Sequence, residues 1–178
     1  MPVTLYEISV PIFIRGLNTL SHILTEAEKY AKDKGIPTSE LVEAKLYPDM
    51  LPLSFQVQTA SDTSKGAVAR VAGTEPVSMK DNETTIEELQ DRIARTIVVL
   101  KNVKQEDFEG KEDEEIILKL SSGPKTFTGR NYFQHHSLPN FLFHVTTAYG
   151  ILRSKGVPLG KKDYLKCFYP GTPIDLDV

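Results

Sequence analysis

A histidine and an asparagine on one predicted helix are the first candidates for chemistry in this sequence. Asn140 and His144 are four residues apart, so both side chains lie on one shoulder of the helix. His144 falls beside Ala148 and Ile151, next to the apolar stripe, which predicts a partly buried imidazole. Such a ring can bind a metal, act as a base or serve as a hydrogen-bonded core group. A single histidine favours the core role over a metal ligand.

Amides on an earlier predicted helix are the second candidate. Gln56 flanks the apolar face of that helix, whereas Gln58 shares another face with Asp62. A buried amide can orient a ligand, although it more often bonds a neighbouring carbonyl. The adjacent pair His135 and His136 precedes the last long predicted helix. Because neighbouring side chains do not face one another on a helix, we interpret this pair as part of a polar loop.

Motifs for nucleophiles and organic cofactors are absent from the sequence. It has no Gly-x-Ser-x-Gly elbow, no phosphate loop and no dinucleotide fingerprint. Cys167 is the single cysteine, and no predicted helix N-terminus lies beside it to lower the pKa of its thiol, so we interpret it as inert. The sequence therefore predicts no organic cofactor and leaves only a divalent metal open.

Apolar periodicity predicts four long amphipathic helices that position these side chains. Pro11 predicts a kink or a late start in the first of them. The third begins at a cap formed by Thr84 or Thr85, followed by Glu87 and Glu88. The predicted long helices span residues 4–34, 51–71, 85–103 and 137–155, with a short helix over 38–46 and a β-hairpin over 115–128. This pattern is typical of an all-α, antiparallel four-helix bundle with a small hairpin between the third and fourth helices.

Length and composition fit one globular domain. The chain has 178 residues, of which 40% are hydrophobic and 25% are charged, as in ordinary folded proteins. No apolar run reaches the roughly 20 residues of a membrane span, and the N-terminus lacks the basic region of a secretory signal. Together with the single cysteine, these features favour a cytoplasmic location. The basic excess after residue 115 is scattered, so no concentrated cationic face for nucleic acid is expected.

Three runs of the sequence resemble an uncharacterised family, a domain of unknown function in bacteria and fungi, within the DinB/YfiT-like superfamily. They are YPDMLPLSFQVQTASDTSKGAVARVAG, TTIEELQDRIARTIVVL and LPNFLFHVTTAYGILRSKGVPLGKKDYL. The resemblance extends from Tyr6 to about Leu165. It implies a DinB-like helical bundle domain over residues 1–165, followed by a C-terminal tail over 166–178.

The resemblance also implies where a metal would bind. In the superfamily, the second and fourth helices typically supply three histidines to a divalent metal, which activates a thiol or water in transferases, isomerases and hydrolytic enzymes. When the predicted helices are matched to those of the superfamily, Asn140 and His144 fall at the two histidine positions of the fourth helix. Gln58 falls at the histidine position of the second helix. Because only one of the three is a histidine, and amides bind transition metals weakly, the resemblance implies a degenerate site. His144 and His136 remain as weak metal candidates.

We therefore predict a small-molecule-binding bundle protein whose site lies between the second and fourth long helices. The predicted site residues are Gln56, Gln58, Asn140 and His144. One alternative is a divalent-metal-dependent transferase or hydrolase of the superfamily type, with His135 or His136 folded inward as a replacement ligand.

A second alternative is a non-catalytic, dimeric interaction module. The apolar stripe of the third predicted helix, together with the pairing of superfamily members through bundle faces, predicts a homodimer. No nucleic-acid or membrane partner is expected.

Overall fold

Four long helices and an antiparallel hairpin form most of the computed structural model, which describes residues 3–169 and 171–172. The long helices are α1 (Val10–Lys34), α3 (Leu53–Ala72), α4 (Ile86–Lys101) and α6 (Leu138–Ser154). The short helices are α2 (Thr38–Val42), α5 (Gly129–Tyr132) and α7 (Lys161–Leu165), and the strands are β1 (Glu115–Leu120) and β2 (Gly123–Thr128). The prediction of a four-helix bundle with one hairpin is confirmed. None of the helices in the described ranges is long and apolar enough to cross a membrane.

Local signals in the sequence set the helix ends. α1 begins later than its apolar pattern because Pro11 occupies the first turn, where a missing N–H costs nothing. It ends at Gly35, whose φ of 66° is the left-handed conformation of a helix C-cap. α4 has the predicted cap, in which the Glu88 backbone N–H donates to the Thr85 hydroxyl and the Thr85 N–H donates to the Glu88 carboxylate, both at 3.1 Å.

Contacts at one end of the bundle establish the helix directions. Phe108 follows α4 and Phe133 precedes α6, and their ring centroids are 6.2 Å apart. Phe13 in the first turn of α1 lies equally close to Phe133. Arg70 in the last turn of α3 donates to the Tyr132 hydroxyl at 3.2 Å. The ends of α3 and α4 therefore meet the beginnings of α1 and α6, so α3 and α4 run parallel to each other and antiparallel to the other pair.

The parallel arrangement of α3 and α4 requires a long connection. Residues 73–85, here called the crossover segment, must return along the bundle from the end of α3 to the start of α4. Among the described residues, no backbone–backbone hydrogen bond involves residues 75–84. The crossover segment is therefore fixed by side chains.

The core is built from the inward faces of the four long helices. The rings of Phe13 and Phe141 meet edge to face, with centroids 5.0 Å apart, where α1 crosses α6. The predicted apolar stripe of α4 also points inward: its fully or almost fully buried members are Ile86, Leu89, Ile93 and Leu100. This stripe therefore packs inside its own chain.

The predicted hairpin is present, and one of its faces packs against the bundle. Its register pairs Glu115 with Thr128 and Leu120 with Gly123. Alternate residues of β1, Ile116 and Leu118, are buried against the core, as expected when one face of an antiparallel pair is covered.

The fourth long helix starts earlier than predicted. Helical structure begins after the Thr128 cap with α5 and continues through a π-helical turn over Phe133–Ser137 into α6. Pro139 explains the wide turn, because it has no N–H to donate and its ring opposes the carbonyl four residues back. His135 and His136, predicted in a polar loop, lie within this π turn.

The chain returns to α1 after α6. Arg15 donates to the backbone carbonyl of Cys167 at 2.6 Å, and the rings of Tyr164 and Phe168 stack with centroids 6.1 Å apart. The predicted tail over 166–178 therefore begins on the surface of α1. Its residues 170 and 173–178 lie outside the described residues.

Gly16 should be essential to the close approach of α1 and α6. A Cβ atom there would overlap the ring of Phe141, which is fully buried. We expect Gly16→Ala to lower the free energy of unfolding by about 1–3 kcal/mol through overpacking, measured by denaturant titration. The matched control is Gly150→Ala in α6, where the new Cβ would lie 3.7 Å from Leu46 in ordinary contact. It should stabilise by about 0.5–1 kcal/mol, so equal effects of the two variants would contradict the packing argument.

Candidate functional site

His144 is oriented by a chain of two hydrogen bonds between α3 and α6. Its Nδ1 lies 2.8 Å from Oε1 of Gln56, and the Gln56 amide nitrogen donates to the backbone carbonyl of Leu51 at 3.0 Å. Because the Gln56 NH₂ group is committed to Leu51, its oxygen faces His144 and Nδ1 carries the ring proton. Nε2 is then the ring nitrogen with the free lone pair.

The surroundings of His144 keep the ring neutral. The residue is 8% exposed, and the rings of Phe55 and Phe143 approach it edge to face at 6.0 Å and 5.3 Å. Burial lowers the pKa of His144 below its usual value, because desolvation penalises the imidazolium. Nε2 makes no hydrogen bond to a described residue and is not one of the fully enclosed polar atoms. The site therefore presents a neutral hydrogen-bond acceptor at the outer edge of the contact between α3 and α6, and the surface along that contact is here called the α3–α6 groove.

Asn140 lies one turn before His144 and faces the same groove. Its amide nitrogen donates to the Thr63 hydroxyl at 2.9 Å. Along α3, Gln56 comes before Thr63, whereas along α6 the partner of Gln56, His144, comes after the partner of Thr63, Asn140. This reversed order shows that α3 and α6 are antiparallel. The structure thus places Gln56, Asn140 and His144 along one groove.

Gln58 lies on a different face of α3 and does not join them. Two residues correspond to about 200° of helix rotation, so Gln58 faces α4 while Gln56 faces α6. Its amide nitrogen donates to the Glu83 carboxylate at 2.9 Å in a buried contact. The predicted set of four is therefore divided between two sides of α3.

The donors around His144 do not fit a three-histidine metal centre. His144 offers one imidazole lone pair, whereas the amides of Asn140 and Gln58 are hydrogen-bonded to Thr63 and Glu83. Neutral amides are weak ligands for transition metals. Within the described residues, no three His, Cys, Asp or Glu side chains are grouped so that they could hold an ion. The arrangement supports hydrogen bonding by His144 rather than coordination.

The replacement ligands expected in the enzyme alternative lie elsewhere. His136 stacks on the ring of Tyr132 with centroids 5.7 Å apart, and its pKa is lowered by burial and by the nearby Arg70 charge. His135 is exposed and lines an open cleft at the hairpin. Eight residues separate His136 from His144, about 12 Å along a helix axis. Neither ring is therefore in position to complete a site with His144.

Arg92 is the buried functional group that sequence reasoning missed. It is fully buried on α4, and its guanidinium pairs with Asp62 of α3 at 2.7 Å and with Asp81 and Glu83 of the crossover segment at 2.8 Å and 2.9 Å. The signal was present in the sequence, because Arg92 lies between Leu89 and Ile93, two members of the apolar stripe of α4. A buried cation requires anionic partners, and of the three carboxylates only Glu83 is itself buried.

The neutral state of His144 should be visible in the pH dependence of stability. Its pKa is lower in the folded protein than in the unfolded chain, so its stabilising effect is complete above about pH 6.5. This effect is lost as the pH falls through the folded-state pKa. We expect the free energy of unfolding to decline less on acidification in His144→Gln than in the wild type.

Exposed His135 provides the control, since His135→Gln should leave the wild-type curve unchanged. Nitrogen-15 NMR of the wild type at pH 7 should show the proton on Nδ1. In Gln56→Leu the preference for this tautomer should disappear, with a stability loss of about 1–3 kcal/mol from the unsatisfied Nδ1. A proton on Nε2 in the wild type would contradict the assigned hydrogen-bond chain.

Comparisons with known proteins agree with this architecture. The model of a family described as a domain of unknown function, DUF1993, matches residues 5–165. The chain is also similar to the crystal structure of a DinB family member from Shewanella denitrificans. The two share 39% sequence identity and a TM-score of 0.85, over 90% of this chain and 91% of that chain. No curated protein matches the sequence. The predicted resemblance is confirmed, and the chain belongs to the DUF1993 family, with a DinB-like fold.

Proposed function

We propose that the protein binds a small molecule in the α3–α6 groove, through Nε2 of His144, at a degenerate form of the superfamily metal site. The observation that carries the proposal is the unequal bonding of the two ring nitrogens of His144. A ring that served only the core would be satisfied by protein groups at both nitrogens. Here Nδ1 is bonded to Gln56, while Nε2 retains accessible surface and has no partner among the described residues.

The groove favours a neutral ligand that combines a flat apolar part with a hydrogen-bond donor. A neutral imidazole nitrogen accepts a hydrogen bond from a hydroxyl or N–H group. The edges of Phe55 and Phe143 flank the ring, and aromatic side chains favour flat apolar partners. The half-buried Asn140 and Thr63 extend the groove with polar groups.

A metal-dependent reaction remains the alternative that elemental analysis addresses directly. The site offers one imidazole, and the amides of Asn140 and Gln58 are already hydrogen-bonded to protein groups. We therefore expect that no transition metal is tightly bound. One equivalent of zinc or nickel retained against a mild chelator, and lost in His144→Ala, would replace the present proposal by the enzyme alternative.

Phenol is a suitable first probe of the groove, with its methyl ether anisole as the matched compound that lacks a donor. We expect phenol to shift the His144 Nε2 resonance in a saturable manner, whereas anisole should bind about tenfold more weakly, as one lost hydrogen bond implies. His144→Gln should remove the difference between the two compounds. His135→Gln should preserve it. Equal binding of phenol and anisole to the wild type would count against an acceptor role for Nε2.

A dimer is the second candidate, supported by an exposed apolar surface next to the groove. Phe143 is 60% exposed and Tyr47 is 65% exposed. Leu46 is also exposed and packs beside Gly150, which is seven residues, or two turns, after Phe143 on α6. The stripe of α4 that motivated the dimer prediction is buried in the core. We therefore propose that a dimer would form through the Phe143 surface instead.

Light scattering tests this proposal. A chain of 19.9 kDa should give twice that mass at micromolar concentration, and Phe143→Ser should give the single-chain mass without unfolding. The control is Val98→Ser, which changes a residue of α4 that is 48% exposed and should leave the dimer intact. A wild-type mass of one chain would exclude dimerisation under these conditions and leave the groove proposal unaffected.

A further inference from the structure

Glu83 is held in the way that a protein holds a carboxylate ligand. Its side chain is 5% exposed, and Nη1 of Arg92 donates to its two oxygens at 2.9 Å and 3.2 Å. Gln58 donates to the second oxygen at 2.9 Å. Burial by itself would raise the pKa of Glu83, but the hydrogen bonds from Arg92 and Gln58 outweigh that effect and lower it. The carboxylate is thus ionised, desolvated and bound by charge-assisted hydrogen bonds.

The helix seam beneath the crossover segment is polar. Its buried polar side chains are Gln58, Ser61, Lys65, Arg92 and Thr96. Most helix pairs instead meet through apolar stripes. Asp62 bonds both Arg92 and Lys65, so two cations lie in the seam. The Nε of Arg92 is buried and has no partner among the described residues, which leaves one donor of the guanidinium unused.

Side-chain contacts, chiefly those of Arg92 and Gln58, hold the crossover segment on the bundle. Within the described part of the chain, residues 75–84 make no backbone–backbone hydrogen bond. Within the crossover segment, Glu83 is buried and most of the other residues are exposed. Besides Glu83, Arg92 contacts the Lys80 carbonyl at 3.0 Å and Asp81 at 2.8 Å. Removing the segment from Arg92 would therefore uncover the cations of Arg92 and Lys65, which would keep only the Asp62 carboxylate as a shared partner.

We propose that Arg92 and Gln58 form a carboxylate-binding site that Glu83 occupies as an internal ligand, and that a small dicarboxylate displaces Glu83 and releases the crossover segment. A dicarboxylate is required because a tethered carboxylate has a high effective concentration. The competitor must therefore use donors that Glu83 does not use. The free Nε of Arg92 and the ammonium of Lys65 are such donors. This site lies across α3 from His144 and is independent of the α3–α6 groove.

The first experiment empties the site. Glu83→Ala leaves the Arg92 charge without its main partner, so the midpoint of thermal unfolding should fall by about 10 °C. Sodium acetate should restore part of the loss in a saturable manner, whereas sodium chloride at the same ionic strength should not. The double variant Glu83→Ala with Arg92→Met removes the cation as well and should not respond to acetate.

The second experiment uses the unaltered chain. Trypsin cleavage after Lys80 requires local release of the crossover segment, and the rate should rise about tenfold with saturating succinate. Cleavage after Lys111, near the hairpin, is the internal control and should not change. Acetate should have little effect, because a single carboxylate cannot outcompete the tethered Glu83.

Each part of the proposal can fail separately. If Glu83→Ala recovers equally in acetate and chloride, Arg92 and Gln58 do not form a carboxylate site. If succinate leaves cleavage after Lys80 unchanged in the wild type, displacement of the crossover segment is excluded. The wild-type measurement remains decisive if Glu83→Ala does not fold.

Discussion

The buried charge of Arg92 allows two parallel helices to share one small bundle. Parallel neighbours require a connection that returns along the bundle, and among the described residues no backbone–backbone hydrogen bond holds residues 75–84 of this connection. Arg92 joins α3, α4 and the crossover segment through three carboxylates. Leaving such a cation without partners would cost about 3–5 kcal/mol, a large fraction of the stability of a typical domain. The topology and the ion cluster therefore depend on each other.

The α3–α6 interface fixes the orientation of one imidazole at a position where the superfamily resemblance implies a metal ligand. In metal sites, a second group commonly fixes the tautomer of a ligating histidine through its other nitrogen. Gln56 has this role for His144. The positions implied for the remaining ligands carry amides, and those amides bond Thr63 and Glu83. The interface therefore holds one imidazole by its Nδ1 and leaves Nε2 without a partner among the described residues.

The sequence predicted the elements of the fold more fully than their arrangement. The cap at Thr85 and the hairpin over 115–128 follow from local patterns, and the structure contains both. The register was not predicted, because Gly123 and Pro124 were interpreted as turn residues and instead begin the second strand. The wide turn before α6 was not predicted, because Pro139 was interpreted as marking a first turn rather than widening an existing helix. The helical period predicted that His144 lies beside the apolar stripe. It did not predict which glutamine bonds to His144, because the choice between Gln56 and Gln58 depends on which helix packs against each face of α3.

The Arg92 cluster illustrates a limit of reading one helix at a time. Periodicity places Arg92 at the edge of an apolar stripe, where a long side chain is usually expected to reach water. The carboxylates that bury it come from α3 and from a connection with no periodic pattern. Such a cluster becomes predictable only once the parallel direction of α3 and α4 is known.

The π turn at Phe133–Ser137 sets the rotational phase of α6. A π turn contains one more residue than the α-helical turn it replaces, and one residue corresponds to about 100° of rotation. The π turn therefore rotates the residues before it about the helix axis relative to α6. These residues include Tyr132, and the face of α6 that is affected carries His144. Loss of one residue within the turn would keep the helix continuous while separating these two faces from their partners. An insertion or deletion at this point is thus a means by which related chains could exchange the side chain that faces α3 without changing the bundle.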